Sequence, residues 1–245
     1  MFSTFFYNPI YNLFVLILDF VTSDAGIAII LVTVIIKFAL FPLAKQAIKT
    51  QIGMKQIKPE LDALQKKYGK KPEPEERQKM AMEMMALYRE NNVRPFASLF
   101  VIIIQLPVLI ALYLVFYKGG LPSIDTSLLY SFVTEPTKVD MMFLGVIDLE
   151  AKRNILLALL AGAVQAVHSH IAIDVPEADK DATMSADFAR SFAQQMKFGL
   201  PILIAGTAYF FGSAIALYLI TSTSFMLFQE WLVRKDKAEL KSIKN

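Results

Sequence analysis

Four long stretches of the chain carry almost no charge, and nothing else in the sequence restricts its fold as much. Ala25 to Ala44 is apolar apart from Lys37, Pro95 to Tyr117 is charge-free over 23 residues, Asn154 to Ile173 over 20, and Phe198 to Gln229 over 32. A bilayer core about 30 Å thick is crossed by about 20 apolar residues of helix, so each run is long enough to span it. The last is too long for one span at about 1.5 Å per residue. Gly206 and the step Phe211-Gly212-Ser213 point instead to a tight helical hairpin turning near Gly212. Five spans result. Composition agrees: 55% of the residues are apolar and only 19% are charged, below the roughly 25% charge of soluble domains. The chain has no cysteine, which excludes disulfides, thiolate nucleophiles and thiolate metal sites.

The first twenty residues are also apolar, but Asn8, Pro9, Asn12 and Asp19 divide them into pieces too short to cross. Ile10, Phe14, Ile17 and Val21 recur at helical spacing, which predicts an amphipathic helix lying in the interface. A cleaved signal peptide is the alternative, although no basic residue precedes the apolar part and no small-residue cleavage site stands out. Lys and Arg set the orientation. With alternate segments assigned to opposite sides, 20 of the 25 basic residues fall on one side and 4 on the other, leaving Lys37 inside the first span. The positive-inside rule then places the N-terminus outside and the C-terminus in the cytoplasm. The expected organisation is an interfacial helix (1–24), spans at 25–44, 95–117, 154–173, 198–211 and 213–232, a cytoplasmic helical hairpin (45–94), an extracytoplasmic loop (118–153), a cytoplasmic loop (174–197) and a basic cytoplasmic tail (233–245). The fold class is an all-α polytopic membrane protein.

Within 45–94, Ile48, Ile52, Ile57, Leu61, Leu64 and Tyr68 recur at threes and fours up to Gly69. After Lys70-Lys71-Pro72-Glu73-Pro74, acidic Glu75 and Glu76 open a second helix with Met80, Met84 and Leu87 on one face. Met80, Met82, Met84 and Met85 could adapt to varied apolar peptides, because the thioether is flexible and polarisable; equally, they could simply zip the two helices together. Leu61 and Tyr88 join Met80, Met84 and Met85 as the candidate recruitment surface. Lys66, Lys67, Lys70 and Lys71 could meet anionic lipid or ribosomal RNA, or form a solvated charge run.

Lys37 demands an explanation, since a charge in a span costs at least about 2.5 kcal/mol. Counted from Lys45 it lies about 11–12 Å inside the cytoplasmic boundary at 1.5 Å per residue. Thr33, one turn earlier, shares its face. By the same rise Gln105, Gln165 and the run Thr221-Ser222-Thr223-Ser224 all lie about 10–15 Å from that boundary. Polar groups from four spans at one depth suggest a hydrated groove open to the cytoplasm. Interhelical hydrogen bonding with a snorkelling lysine is the competing account. Pro42, Pro107 and Pro201 leave carbonyls unpaired in or near spans and fit either reading.

Other chemistry is sparse. His168 and His170 lie two apart and cannot share a metal from one helix. Ala158, Ala161, Gly162, Ala163 and Ala166 make the third span a close-packing helix. No phosphate-binding loop, zinc-protease motif or nucleophile elbow is present, so neither an enzyme nor a cofactor is expected.

Taken in order, several stretches resemble the YidC-type membrane protein insertases. They are Gly26-Ile27-Ala28-Ile29-Ile30-Leu31 with Thr33, Lys37 and Pro42-Leu43; Met54-Lys55-Gln56-Ile57-Lys58-Pro59-Glu60-Leu61 with Leu64-Gln65-Lys66-Lys67-Tyr68; Glu83-Met84-Met85-Ala86-Leu87-Tyr88 leading to Arg94-Pro95; Gln105-Leu106-Pro107-Val108-Leu109-Ile110-Ala111-Leu112-Tyr113; Phe143-Leu144-Gly145-Val146-Ile147-Asp148-Leu149; Leu160-Ala161-Gly162 with Gln165; and Ala216-Leu217-Tyr218. The resemblance runs over nearly the whole chain and is expected to cover the conserved core of the family. It implies five spans around a cytoplasm-facing hydrophilic groove, with a mobile hairpin. Insertion into the lipid bilayer would proceed without nucleotide hydrolysis. The implied groove residues are Lys37, Thr33, Gln105, Gln165, Tyr218, Thr221, Ser222 and Ser224. Lys37 stands where the family carries an arginine, keeping the charge without the bidentate fork, and Phe96-Ala97-Ser98 replaces a Gly-rich step before the second span. Expected partners are nascent membrane proteins, the ribosome, the Sec translocon for some clients and the phospholipid bilayer, with the chain acting as a monomer in the bacterial plasma membrane. A small transporter or channel is the rival reading, and a membrane-tethered interaction protein a third.

Overall fold

Proline and glycine decide where the long apolar runs break. In the computed structural model, which describes residues 1–69, 73–94, 97–118, 121–175 and 184–244, the run from Ala25 to Ala44 is divided at Leu40. The helices are α1 (Asn8–Phe20), α2 (Ala25–Ala39), α3 (Phe41–Tyr68), α4 (Pro74–Glu90), α5 (Ala97–Lys118), α6 (Ile155–Ala172), α7 (Met184–Gln194), α8 (Leu200–Phe211) and α9 (Ser213–Lys244), with a short ribbon of β1 (Met142–Phe143) and β2 (Ile147–Asp148) between α5 and α6. Pro42 sits in the first turn of α3, where its missing N–H costs nothing, and for the same reason it cannot continue α2. The basic residues Lys70 and Lys71, together with Pro72, Pro95 and Phe96, lie outside the described residues.

The chain forms two compact units, Met1–Ala39 with Gln105–Phe228, and Leu40–Ile104 with Gln229–Asn245. In the first, Tyr11, Phe14 and Val15 of α1, Ala28 and Val32 of α2, Ala111, Leu112 and Val115 of α5, Ala208 of α8 and Ala216 of α9 are fully buried in one apolar cluster. The expected face of α1 is only partly the one observed. Ile10, Phe14 and Ile17 are buried together with Tyr11, Val15 and Leu18, whereas Val21 is exposed. The reason is that α1 packs on α2 and is tied to the loop after α5 by Asn12, whose amide donates to Leu128 O at 2.9 Å and accepts from Tyr130 N at 2.7 Å. Tyr11 Oη accepts from Asp125 N at 2.8 Å. A polar residue that interrupts the apolar run in sequence is therefore an anchor in space.

Two helices of this unit are capped at their N-termini by side chains. Asp24 accepts from Gly26 N at 2.7 Å and Ile27 N at 3.1 Å at the start of α2. Asn154 accepts from Leu157 N at 3.1 Å at the start of α6. The α8–α9 turn falls at Gly212, whose φ of 96° suits glycine and whose missing Cβ admits Ala151 O; Ser213 N and Oγ both donate to that same carbonyl at 3.0 Å. Outward-facing apolar side chains are numerous: Leu156 and Leu159 on α6 and Ile202 and Phe210 on α8 are 65–74% exposed. A soluble monomer seldom carries so much exposed apolar surface. Among the described residues, α6 is by itself long and apolar enough to cross a membrane, and α2 and α3, bent by 65° at their break, reach that length and apolarity only together, as a broken span or a re-entrant loop.

In the second unit, α3 and α4 pack into a helical hairpin. Contacts run from Tyr68 against Glu83 to Gly53 against Val93, so the helices are antiparallel. Ile57, Leu61 and Val93 form its buried core, with Met54, Met84, Leu87 and Tyr88 packed around them. Glu73 and Glu76 close a capping box at the start of α4.

Candidate functional site

Lys37 lies in the last turn of α2 with only 6% of its surface exposed, and it does not stand alone. Its ammonium donates to Gln105 Oε1 of α5 at 2.9 Å, and Gln105 Nε2 donates to Tyr218 Oη of α9 at 2.7 Å. The chemistry of the donors dictates this order. An ammonium can only donate, so the glutamine must turn its carbonyl to Lys37 and its amide to the phenol. The result is a relay of aligned dipoles whose acceptors face the buried cation, which offsets part of its desolvation. Beside it lies a crevice too narrow to hold a water molecule, lined by Thr33, Ile36, Lys37, Gln105, Val108, Leu112 and Tyr218.

The predicted polar layer resolves into parts. Lys37, Gln105 and Tyr218 form one network, with Ser222 buried one turn along α9 from Tyr218. Gln165 belongs to another, donating to Ser169 Oγ at 3.2 Å and accepting from Thr223 Oγ1 at 3.3 Å, with all three residues buried. Thr33, also buried, lines the crevice but returns its hydroxyl to Ile29 O at 2.6 Å. Thr221 does the same to Leu217 O at 2.8 Å, and Ser224 is exposed. The sequence does not single out Ser169, and it offers Thr223 only as one of the polar run 221–224, not as a groove residue. The i, i+4 spacing of Gln165 and Ser169 was the available signal for one; the other needs the facing side of α9, which a run of four hydroxyl residues does not reveal.

The hairpin residues also separate. Leu61 is 9% exposed and lies inside the hairpin, with Met84 and Tyr88 half-buried against it. Met80 is half-buried as well. Met82 and Met85, at 65% and 51% exposure, are the methionines that offer apolar surface outward. Near the tip Lys67 Nζ lies 2.8 Å from Glu83, which also accepts from Tyr68 Oη at 2.8 Å. Those two hydrogen bonds hold the Glu83 carboxyl below the usual carboxylate range.

Comparison with known proteins bears on the whole of this arrangement. The pattern of the 60Kd inner membrane protein family matches residues 17–241. The chain is 31% identical over 236 residues to the membrane protein insertase YidC of Clostridium tetani, covering 93% of each protein. It is 28% identical over 235 residues to that of Oceanobacillus iheyensis, covering 95% of this chain and 83% of the relative. The Fusobacterium nucleatum protein of the same name is 29% identical over 236 residues, 94% of this chain and 98% of its own length. The chain therefore belongs to the 60Kd inner membrane protein family, that of the YidC-type membrane protein insertases.

Proposed function

We propose that the protein inserts nascent hydrophobic proteins into the bacterial plasma membrane, using the polar crevice at Lys37 as a hydrophilic groove that opens to the cytoplasm. The observation that carries this reading is the buried Lys37–Gln105–Tyr218 relay, a cation with oriented dipoles set among apolar helices. A polar flank of the client enters the groove, where Lys37 and water offset its desolvation. The adjoining apolar segment slides along the second and fourth of five spans, at 95–117 and 198–211. The flank then has only the thin outer half left to cross, and an acidic flank gains about 2.3 kcal/mol per charge per 100 mV of membrane potential. Nucleotide hydrolysis is not needed. The narrow crevice implies that the helices part to admit a client, exchanging the relay's internal hydrogen bonds for bonds to the flank.

On the same reading the N-terminus is outside and the C-terminus in the cytoplasm. The hairpin, through its exposed methionines, receives clients from the ribosome, alone or beside the Sec translocon, and a single copy suffices. The test is insertion of an acidic-flanked client into proteoliposomes. Lys37→Arg is expected to retain insertion and Lys37→Ala to lose most of it. Equal activity in the two would remove the electrostatic role. Photocrosslinkers placed at Thr33 and Gln105 should capture a stalled client, and capture only at Met82 or Met85 would place the work in the hairpin instead.

A further inference from the structure

The ribbon of β1 and β2 has two different sides. Phe143 packs on Gly26 in the first turn of α2, where any side chain would overlap its ring. The next residue, Leu144, donates its backbone N–H to Asp24 Oδ2 at 2.7 Å, while the other oxygen of the same carboxylate caps α2. The ribbon is thereby clamped to the start of the helix. Its tip points away: Leu144 is 65% exposed and Val146 79%. From Met141 to Ile147 the chain carries no charged or hydrogen-bonding side chain. Leu144 also adopts φ of 53°, a left-handed conformation that asparagine or glycine accepts more readily than leucine. An apolar residue kept exposed at an unfavourable backbone position marks a side chain with a use.

We infer that the tip of this ribbon, Leu144 and Val146, is an apolar anchor that dips into the outer leaflet and seats the extracytoplasmic loop on the acyl chains beneath the headgroups. Lipid is the occupant because of where the clamp holds the tip, level with the first turn of α2. If α2 and α6 are spans, as proposed above, that turn lies at the outer boundary of the hydrocarbon, where exposed leucine and valine gain by entering it. The inference rests on that reading, and the experiment separates the two.

The chain has a single tryptophan, so Trp231→Phe gives a silent background. Leu144→Trp and Val146→Trp are introduced singly, with Leu159→Trp on the exposed face of α6 as a third probe. Each full-length protein is reconstituted into vesicles whose acyl chains are brominated either near the carbonyl end or near the middle. Both tip probes are expected to emit blue-shifted light and to lose most of their intensity to the shallow bromines. The α6 probe should be quenched by the deep ones. Quenching at Leu159 with no quenching at either tip position would overturn the anchor and leave the membrane reading standing, and would point to a protein surface as the partner. No quenching at any of the three would overturn both. If Leu144→Trp does not fold, quenching or its absence at Val146→Trp decides the question.

Discussion

A lysine as buried as Lys37 survives only if what surrounds it accepts hydrogen bonds, and Gln105 is the side chain shown to do so. Gln105→Leu replaces that acceptor by an apolar group and is expected to destabilise the protein by about 1–3 kcal/mol. Tyr218→Phe removes one neutral bond and should cost about 0.5–1.5 kcal/mol. Thermal unfolding in detergent measures both. The triple change Lys37→Met, Gln105→Leu and Tyr218→Phe replaces every member of the relay by an apolar group and should recover most of the stability without recovering insertion. A purely structural role for the relay predicts that stability and insertion recover together. Lys37 and Gln105 were legible at this scale because a charge and an amide stand out in apolar runs. Their pairing was not, since it joins residues 68 positions apart.

At the scale of elements, close helix packing depends on missing atoms. In α6, a Cβ on Gly162 would lie 2.9 Å from the Cβ of Ala205 and 3.3 Å from Pro201 O. Gly162→Ala should therefore push α6 from α8 and cost about 1–3 kcal/mol by overpacking. Adding Ala205→Gly should restore part of the loss in the same unfolding measurement, because it removes the nearer obstacle. The hairpin offers a pH test. The Glu83 carboxyl lies below its ordinary value of 4.5, first through the hydrogen bond from Lys67 and then through that from Tyr68. A value depressed on folding contributes stability above the unfolded pKa, and that contribution disappears as pH falls through the folded value. Acidification below about pH 4.5 should thus lower hydrogen-exchange protection near Leu61–Tyr68, and Glu83→Gln should lack that step. Helical periodicity made both hairpin helices readable. The division of the first apolar run at Leu40 was readable only in part, because prolines in such runs are tolerated as often as they break them.

For the whole molecule, the distribution of basic residues gives an orientation that can be tested directly, because the chain lacks cysteine. Ser123→Cys in the loop after α5 should react with a membrane-impermeant maleimide added to intact cells, whereas Gln78→Cys in α4 should react only after lysis. The opposite pattern would reverse the topology. From the sequence alone came the apolar runs, the helical hairpin, the turn at Gly212, the exceptional Lys37 and the family resemblance. These features follow from local composition and from order along the chain, which the folded state need not be consulted to read. What tertiary structure decided was the partnering. It turned Asn12 from an interruption into an anchor, divided one polar layer into the Lys37–Gln105–Tyr218 and Gln165–Ser169–Thr223 networks, and turned Leu61 inward. Depth along a helix can be counted from sequence because rise per residue is constant. Which rotational face meets which neighbour depends on packing between distant segments, and that information exists only once they are in contact.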